Sequence, residues 1–425
     1  MGQLYVEGGP LAGGTVQISG NKNAVLPIIA ATLMTDETVT LHNVPDILDV
    51  RSMLEIARFL GAEYAFADST LQICCAKVNR STIAKELCSK NRTSILFAAP
   101  LLTRLKRAEL YPPGGDVIGR RRLDGHIYGL KSLGTTLDYG DRYLFEAPAG
   151  LHGRELFLDE ASVTATEQIL MAAACAEGRT ILYNAACEPH VADLADLLNA
   201  MGAKISGQGG NTITIDGVAS LHGAEHTIVG DHIEAGSFLA LGVACGAEMT
   251  IRGTTPRHYW MTRRIFERLG VKIELRPGEI YLPGQQDPRV KLDFDGQIPV
   301  LADGTWPQYP SDMMSCTIVA ATQVHGTVLF FEKMFESRIY FVDRLIAMGA
   351  SAIVCDPHRV VINGPTKLHG SSVSSPDIRA GMAMLIAALA AEGKSTISRS
   401  EVIFRGYEKL LDKLAVLGAR VRAED

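Results

Sequence analysis

MLIAALAAEGKSTISR, residues 384–399, decides the fold. It reads as an apolar helix, a Glu-Gly break and a short alternating strand. The same design returns as ILMAAACAEGRTILYN (169–184) and FLALGVACGAEMTIRG (238–253). Each stretch leads into an amphipathic helix that closes on Leu-Gly or Met-Gly and enters another strand. Those closures are FLGAEY (59–64), SLGTTL (132–137), AMGAKI (200–205), RLGVKI (268–273), AMGASA (347–352) and VLGARV (416–421). Glycine just past a periodic helix is the usual C-cap, because it alone reaches the left-handed conformation cheaply. One unit of about 70 residues is thus written six times.

The sixth copy lacks the strand pair that follows the closure elsewhere. LYVEGGPLAGGTVQISGNKNAVLPI (4–28) aligns with RVVINGPTKLHGSSVSSPDIRAGMAML (359–385), so residues 1 to about 20 are expected to complete it. The domains then follow as 22–229, continuous, and 1–21 plus 230–425, discontinuous, with a catalytic cleft expected between them. A chain of 425 residues exceeds one core's usual limit, and 47% hydrophobic content suits two large cores. Helices such as GMAMLIAALAAEG (381–393) are apolar on nearly every face, which predicts burial beneath sheets. They are too short to cross a bilayer, which takes about 20 residues. MGQLYVEGGP has neither the basic start nor the apolar core of a secretory signal, and Tyr5 and Val6 weaken a myristoylation reading. Eight cysteines without CxxC or Cys/His spacing read as buried free thiols in a reducing cytoplasm, and no metal site is expected. A net charge of −6 argues against a general nucleic-acid binder.

Aligning the repeats aligns their helix starts: SGNKNAVLP (19–27), SKNRTSILF (89–97), EASVTATEQI (160–169), DHIEAGSFL (231–239), PSDMMSCTI (310–318) and SPDIRAGMA (375–383). Ser, Asn and Asp cap exposed N–H groups there. Lys22, Arg92 and Arg379 sit against the positive end of the helix dipole, a mismatch that points to a bound anion. A second set of helix starts adds PPGGDVIGRRRLDGH (112–126), FESRIYFVD (335–343) and IFRGYEKL (403–410). Glycines 114, 115 and 119 read as a mobile loop ahead of three arginines, although the spacing is neither a P-loop nor a dinucleotide fingerprint. Gathering Lys22, Arg121, Arg338, Arg379 and Arg405 suits a small ligand with both carboxylate and phosphate, since guanidinium forks bind either group.

GNKNAVLP, PGGDVIGRR, PSDM, FESR, SPDIRAG and RGYEKLLDKL, in that order, resemble the signatures of the UDP-N-acetylglucosamine enolpyruvyl (1-carboxyvinyl) transferases over essentially the whole chain. The related shikimate-pathway synthase fits less well, lacking its serine-rich lysine and asparagine-glycine-threonine segments. The resemblance implies a fold of two inside-out α/β barrel domains, each of three βαβαββ-type repeats. It also implies transfer of the enolpyruvyl group of phosphoenolpyruvate to the 3′-hydroxyl of UDP-N-acetylglucosamine, releasing phosphate. That is the first committed step of peptidoglycan synthesis in the cytoplasm. It calls for two small-molecule substrates, no cofactor, no metal, no nucleic acid and no membrane. Carried over by motif, Lys22, Arg121 and Arg405 hold phosphoenolpyruvate, with Arg338 and Arg379 near its carboxylate. Asn23, Arg92, Ser162, Val163 and Met334 contact the sugar nucleotide, and Asp312 is the base for the 3′-hydroxyl.

Asp116 stands where most of the family carries a reactive cysteine, and a minority carries aspartate. Its expected role is to protonate C3 of the enol. Free Asp titrates near 3.9, so reaching about 6 takes about 3 kcal/mol of differential destabilisation of the carboxylate. Bound phosphoenolpyruvate, by neutralising the loop arginines, would supply part of it. Other departures are Glu160 and His232, where the family often has Lys and Arg near the diphosphate, Arg122 in place of proline and Thr164 in place of glycine. They leave open a second acceptor, such as a uridine nucleotide in secondary metabolism. An RNA 3′-phosphate cyclase and a non-catalytic paralogue are weaker readings. The first lacks a basic stripe, and the second would have lost some of Lys22, Asp116, Arg121, Asp312, Arg338 and Arg405.

Overall fold

The computed structural model describes residues 2–115 and 122–424. Within them the chain forms two compact units, one built from the N-terminal stretch to Ser19 together with Gly230 onward, the other from Gly20 to Val229. Each unit has its own hydrophobic core. Each also holds three of the six sheets, five of them four-stranded and one three-stranded, so each sheet is one repeat.

The five four-stranded sheets share one order, and the three-stranded sheet has its antiparallel part alone. In the sheet around Gly326–Phe331, that strand pairs in parallel with Val300–Ala302 and antiparallel with Arg359–Gly364, which pairs with Ser351–Asp356. The helix between the two parallel strands is the apolar one. Three such helices, His232–Cys245, Ser311–Ala321 and Ile378–Ala390, pack on one another inside the first unit. In Ile378–Ala390 every residue up to Leu389 is buried. Lys22–Ala31, Ala98–Leu105 and Val163–Ala174 form the equivalent centre of the second unit. An all-round apolar helix has no face to give to water, which is why these barrels keep helices inside and sheets outside.

The six closures end as the sequence requires. Gly61, Gly134, Gly202, Gly270, Gly349 and Gly418 all have φ between 79° and 118°. At Gly270 a Cβ would also lie 2.1 Å from the Arg289 carbonyl oxygen.

The N-terminal stretch is shared between two repeats, where the sequence had assigned it all to the last one. Gln3–Glu7 inserts between Lys394–Ser398 and Arg420–Glu424, antiparallel to both, and completes the sixth repeat. Gly14–Gln17 instead runs parallel to Met249–Arg252, the strand that follows the His232–Cys245 helix. Glu225–Thr227 does the reciprocal thing, pairing in parallel with Val39–His42 after the Lys22–Ala31 helix. The chain therefore exchanges helices at its two crossings and leaves each edge strand behind. Ser19 C=O accepts from Asp231 N–H at 2.9 Å, and Asn21 N–H donates to Val229 C=O at 2.7 Å, one bond in each unit.

Among the described residues no helix is long and apolar enough to cross a membrane. All eight cysteines are free, but only Cys75, Cys88 and Cys316 are buried and Cys355 is exposed, so uniform burial of the thiols does not hold.

Candidate active site

Asp312 is the second residue of the helix Ser311–Ala321, which starts at Pro310 without a side-chain cap. A carboxylate in that first turn complements the exposed N–H groups. Arg338, from the loop after Gly326–Phe331, donates from Nη1 to Asp312 Oδ1 at 2.8 Å. Arg379, at the start of Ile378–Ala390, donates from Nη2 and Nε to Oδ2 at 2.9 and 3.1 Å. The Asp312 side chain is 28% exposed, against 3% for Arg338 and 7% for Arg379, so the carboxylate is the accessible end of the cluster. Burial pushes its pKa up, but Arg379 and Arg338 outweigh burial and hold it well below the usual carboxylate range. Tyr407 backs the arrangement. Its hydroxyl bonds Ser237 Oγ at 2.8 Å, its ring lies 5.7 Å from the Arg379 guanidinium, and Arg379 Nη1 donates to it at 3.4 Å.

Arg405 ends the short helical turn Ser400–Arg405, two residues before Tyr407, and is half-buried. Met334 lies exposed in the loop leading to Arg338. His232 does not replace a cation. It is buried against His258 and Trp306, ring centroids 6.3 and 5.5 Å away, and burial pushes its pKa down to about 3. It is neutral at pH 7.

In the other unit, Asn21 caps the helix Lys22–Ala31, its side chain accepting from the N–H groups of Asn23 and Ala24. Lys22 Nζ meets Asp49 Oδ2 at 2.7 Å with both side chains nearly buried. Asn91 caps the next start, and Arg92 Nη2 donates to the Arg122 carbonyl at 3.1 Å. The Arg122 guanidinium itself pairs with Asp124, with Nη2 to Oδ1 at 2.6 Å, so it does not offset Glu160, which is exposed. Thr164 Oγ1 bonds His126 Nε2 at 2.9 Å. Ser162 caps the helix that Val163 begins. The glycines opening the Asp116 loop answer a steric demand. A Cβ on Gly114 would lie 1.7 Å from the Ser89 carbonyl oxygen, and Gly115 has φ 108° with Arg92 Cβ alongside.

The dipole mismatch read from the sequence thus has an internal answer at two of three positions. Asp49 faces Lys22 and Asp312 faces Arg379, so a bound anion is not needed to explain those cations. Of the residues expected to act, Asp312, Arg338 and Arg379 come together in one unit, and Lys22, Asn23, Arg92, Ser162 and Val163 lie at helix starts of the other. Asp116 and Arg121 lie outside the described residues. Asp49 and Tyr407 were missed. Tyr407 sits inside a motif already singled out, RGYEKLLDKL, between Arg405 and Glu408.

A family model described as EPSP synthase (3-phosphoshikimate 1-carboxyvinyltransferase) matches residues 6–414. The UDP-N-acetylglucosamine 1-carboxyvinyltransferase of Borreliella burgdorferi is 48% identical over 422 residues, covering 99% of both chains. The protein of the same name from Bradyrhizobium diazoefficiens is 49% identical over 421 residues, 99% of this chain and 97% of its own. The chain belongs to the UDP-N-acetylglucosamine 1-carboxyvinyltransferase family. Two solved structures share the family's fold. The enolpyruvyl transferase NikO from Streptomyces tendae matches with a TM-score of 0.88 at 24% identity, covering 99% of each chain. EPSP synthase from Acinetobacter baumannii matches with a TM-score of 0.75 at 17% identity, covering 100% of each. As a member of a carboxyvinyltransferase family the chain is a transferase.

Proposed function

We infer that this protein transfers the enolpyruvyl group of phosphoenolpyruvate to the 3′-hydroxyl of UDP-N-acetylglucosamine, releasing phosphate, as the first committed step of peptidoglycan synthesis. The observation that carries this is near-50% identity over the full length of relatives bearing that name. The same observation favours the sugar nucleotide over a uridine nucleotide as acceptor. Small-molecule substrates and a cytoplasmic location go with the reading.

Asp312 takes the 3′-hydroxyl proton as that oxygen bonds to C2 of phosphoenolpyruvate, and Asp116 delivers a proton to C3. Loss of a C3 proton then expels phosphate and leaves the enol ether, so the protons balance without a cofactor. Lys22, Arg121 and Arg405 hold phosphoenolpyruvate, and Asn23, Arg92, Ser162, Val163 and Met334 serve the nucleotide. Asp312, clamped by two guanidinium groups, is a weak base by itself. A substrate carboxylate that engages Arg338 or Arg379 divides their charge and raises the Asp312 pKa, which strengthens the base when substrate arrives.

Phosphate release with phosphoenolpyruvate tests the reading, with UDP-N-acetylglucosamine and UMP as competing acceptors. The sugar nucleotide should support turnover and UMP should not; the reverse would overturn it. Asp116→Asn should lose turnover and keep binding both substrates. Fosfomycin should leave the enzyme active, and stoichiometric alkylation of this loop would remove Asp116 from its assigned role.

A further inference from the structure

Glu332 follows the strand Gly326–Phe331 and is fully buried, with 0% exposure. Both its carboxyl oxygens accept from Ser311 Oγ, at 2.8 and 2.9 Å, and Oε1 also accepts from the Phe335 N–H at 3.1 Å. Ser311 immediately precedes Asp312, and Phe335 begins the FESR stretch that ends in Arg338. One carboxyl group therefore ties together the two segments that carry the Asp312–Arg338 ion pair.

Asp303, equally buried, sits beside it: its N–H donates to the carbonyl of Phe331, the residue before Glu332, at 3.3 Å, and its charge helps push the Glu332 pKa up. Asp303 Oδ1 takes the Lys333 N–H at 2.5 Å, whereas no donor among the described residues reaches Oδ2. Neither acid forms an ion pair among the described residues. Two neighbouring buried carboxylates repel each other when both are charged, and a proton held between them would supply the donor that Oδ2 lacks.

The other charged groups around the pair are committed elsewhere. Arg338 pairs with Asp312. His358 donates from Nδ1 to the Glu332 carbonyl at 2.7 Å. Lys333 lies over the Phe331 ring, and Arg359 pairs with Asp356.

We propose that Asp303 and Glu332, sharing one proton, form a positioning element that fixes Asp312 relative to Arg338 and keeps the surrounding charge balanced for an anionic substrate. Losing that proton leaves one excess negative charge behind Arg338, which competes with Asp312 for that guanidinium and disturbs the Asp312–Arg338 geometry. Burial first, and then Asp303, pushes Glu332 up to about 9. Because this acid is raised in the folded chain, its stabilising effect is full below about pH 4.5 and is lost as pH rises to about 9.

The inference rests on the transferase reading, so its test has one arm with substrate and one without. In the first, kcat and KM for phosphoenolpyruvate are measured from about pH 7 to 10.5 for wild type, Glu332→Gln, Asp303→Asn and Glu332→Ala. Wild-type kcat/KM should fall about tenfold per pH unit above about 9. Glu332→Gln, whose amide can donate to Asp303 and accept from Ser311, should stay within about threefold of wild type at pH 7 and lack that fall. Asp303→Asn, which leaves Glu332 buried but removes the neighbouring charge, should move that fall to lower pH, and Glu332→Ala should be impaired at every pH. An alkaline limb unchanged in Glu332→Gln and Asp303→Asn, or Gln as damaging as Ala, would overturn the proposal. In the second arm, the urea midpoint of wild type should fall between about pH 5 and 9 and that of Glu332→Gln should fall less. Equal slopes would show that no proton is held there. Absence of turnover in wild type would sink the transferase reading and leave the second arm to judge the pair.

Discussion

The helix starts at Lys22 and at Asp312 occupy equivalent places in two repeats and solve opposite charge problems. At Lys22 the cation opposes the helix dipole, and one nearly buried carboxylate, Asp49, answers it at 2.7 Å. At Asp312 the anion suits the dipole and is answered by two buried arginines. The first pairs one cation with one anion, both nearly buried. The second leaves its carboxylate 28% exposed with more positive charge beside it than it needs. A repeat thus supplies a place for a charged side chain at a helix start, and the partners brought by neighbouring repeats decide how much of its charge is balanced and how much is left accessible.

Removing the central anion gives the largest expected effect. Asp312→Asn should lower kcat by about 10²–10⁴ with both substrates still bound, read by phosphate release and by calorimetric binding. Asp312→Ala should in addition cost about 3–5 kcal/mol of stability, because it strands two buried guanidinium groups. If Asp49→Asn reduced kcat as much as Asp312→Asn does, the contrast between the two helix starts would fail. We expect Asp49→Asn to act mainly on stability, by about 1–3 kcal/mol in urea unfolding. Acid should weaken the Asp312 start. The Asp312 pKa is depressed in the folded chain, so its contribution is full above the unfolded value near 3.8 and is lost as pH falls below it. Asp312→Asn should therefore flatten the loss of the urea midpoint below about pH 4. The smallest change is expected from Tyr407→Phe, which removes the hydroxyl bonds to Ser237 and Arg379 for about 0.5–1.5 kcal/mol.

The repeat was legible because helix ends are written locally. Glycine at position 61, 134, 202, 270, 349 or 418 announces a left-handed closure whatever surrounds it. Partner choice is not local, so the exchange of Gly14–Gln17 and Glu225–Thr227 at the crossings was not foreseen from alignment of the chain with itself. The same limit applies to the site. Asp312, Arg338 and Arg379 were each picked out by motif, but that both arginines grip the aspartate depends on pairings 26 and 67 residues apart. His232 looked like an altered diphosphate contact, and only its burial beside His258 and Trp306 reveals a neutral ring. Asp303 and Glu332 gave no signal at all, since a protonated acid and a charged one share a letter.

The most direct measurement is a carbon-13 correlation spectrum of the nucleotide formed from labelled phosphoenolpyruvate and UDP-N-acetylglucosamine by the purified chain. The account predicts a vinyl carbon joined through oxygen to C3 of the sugar, accumulating in step with phosphate. Phosphate released while the sugar nucleotide stays unchanged, or a vinyl group on any other hydroxyl, would contradict it.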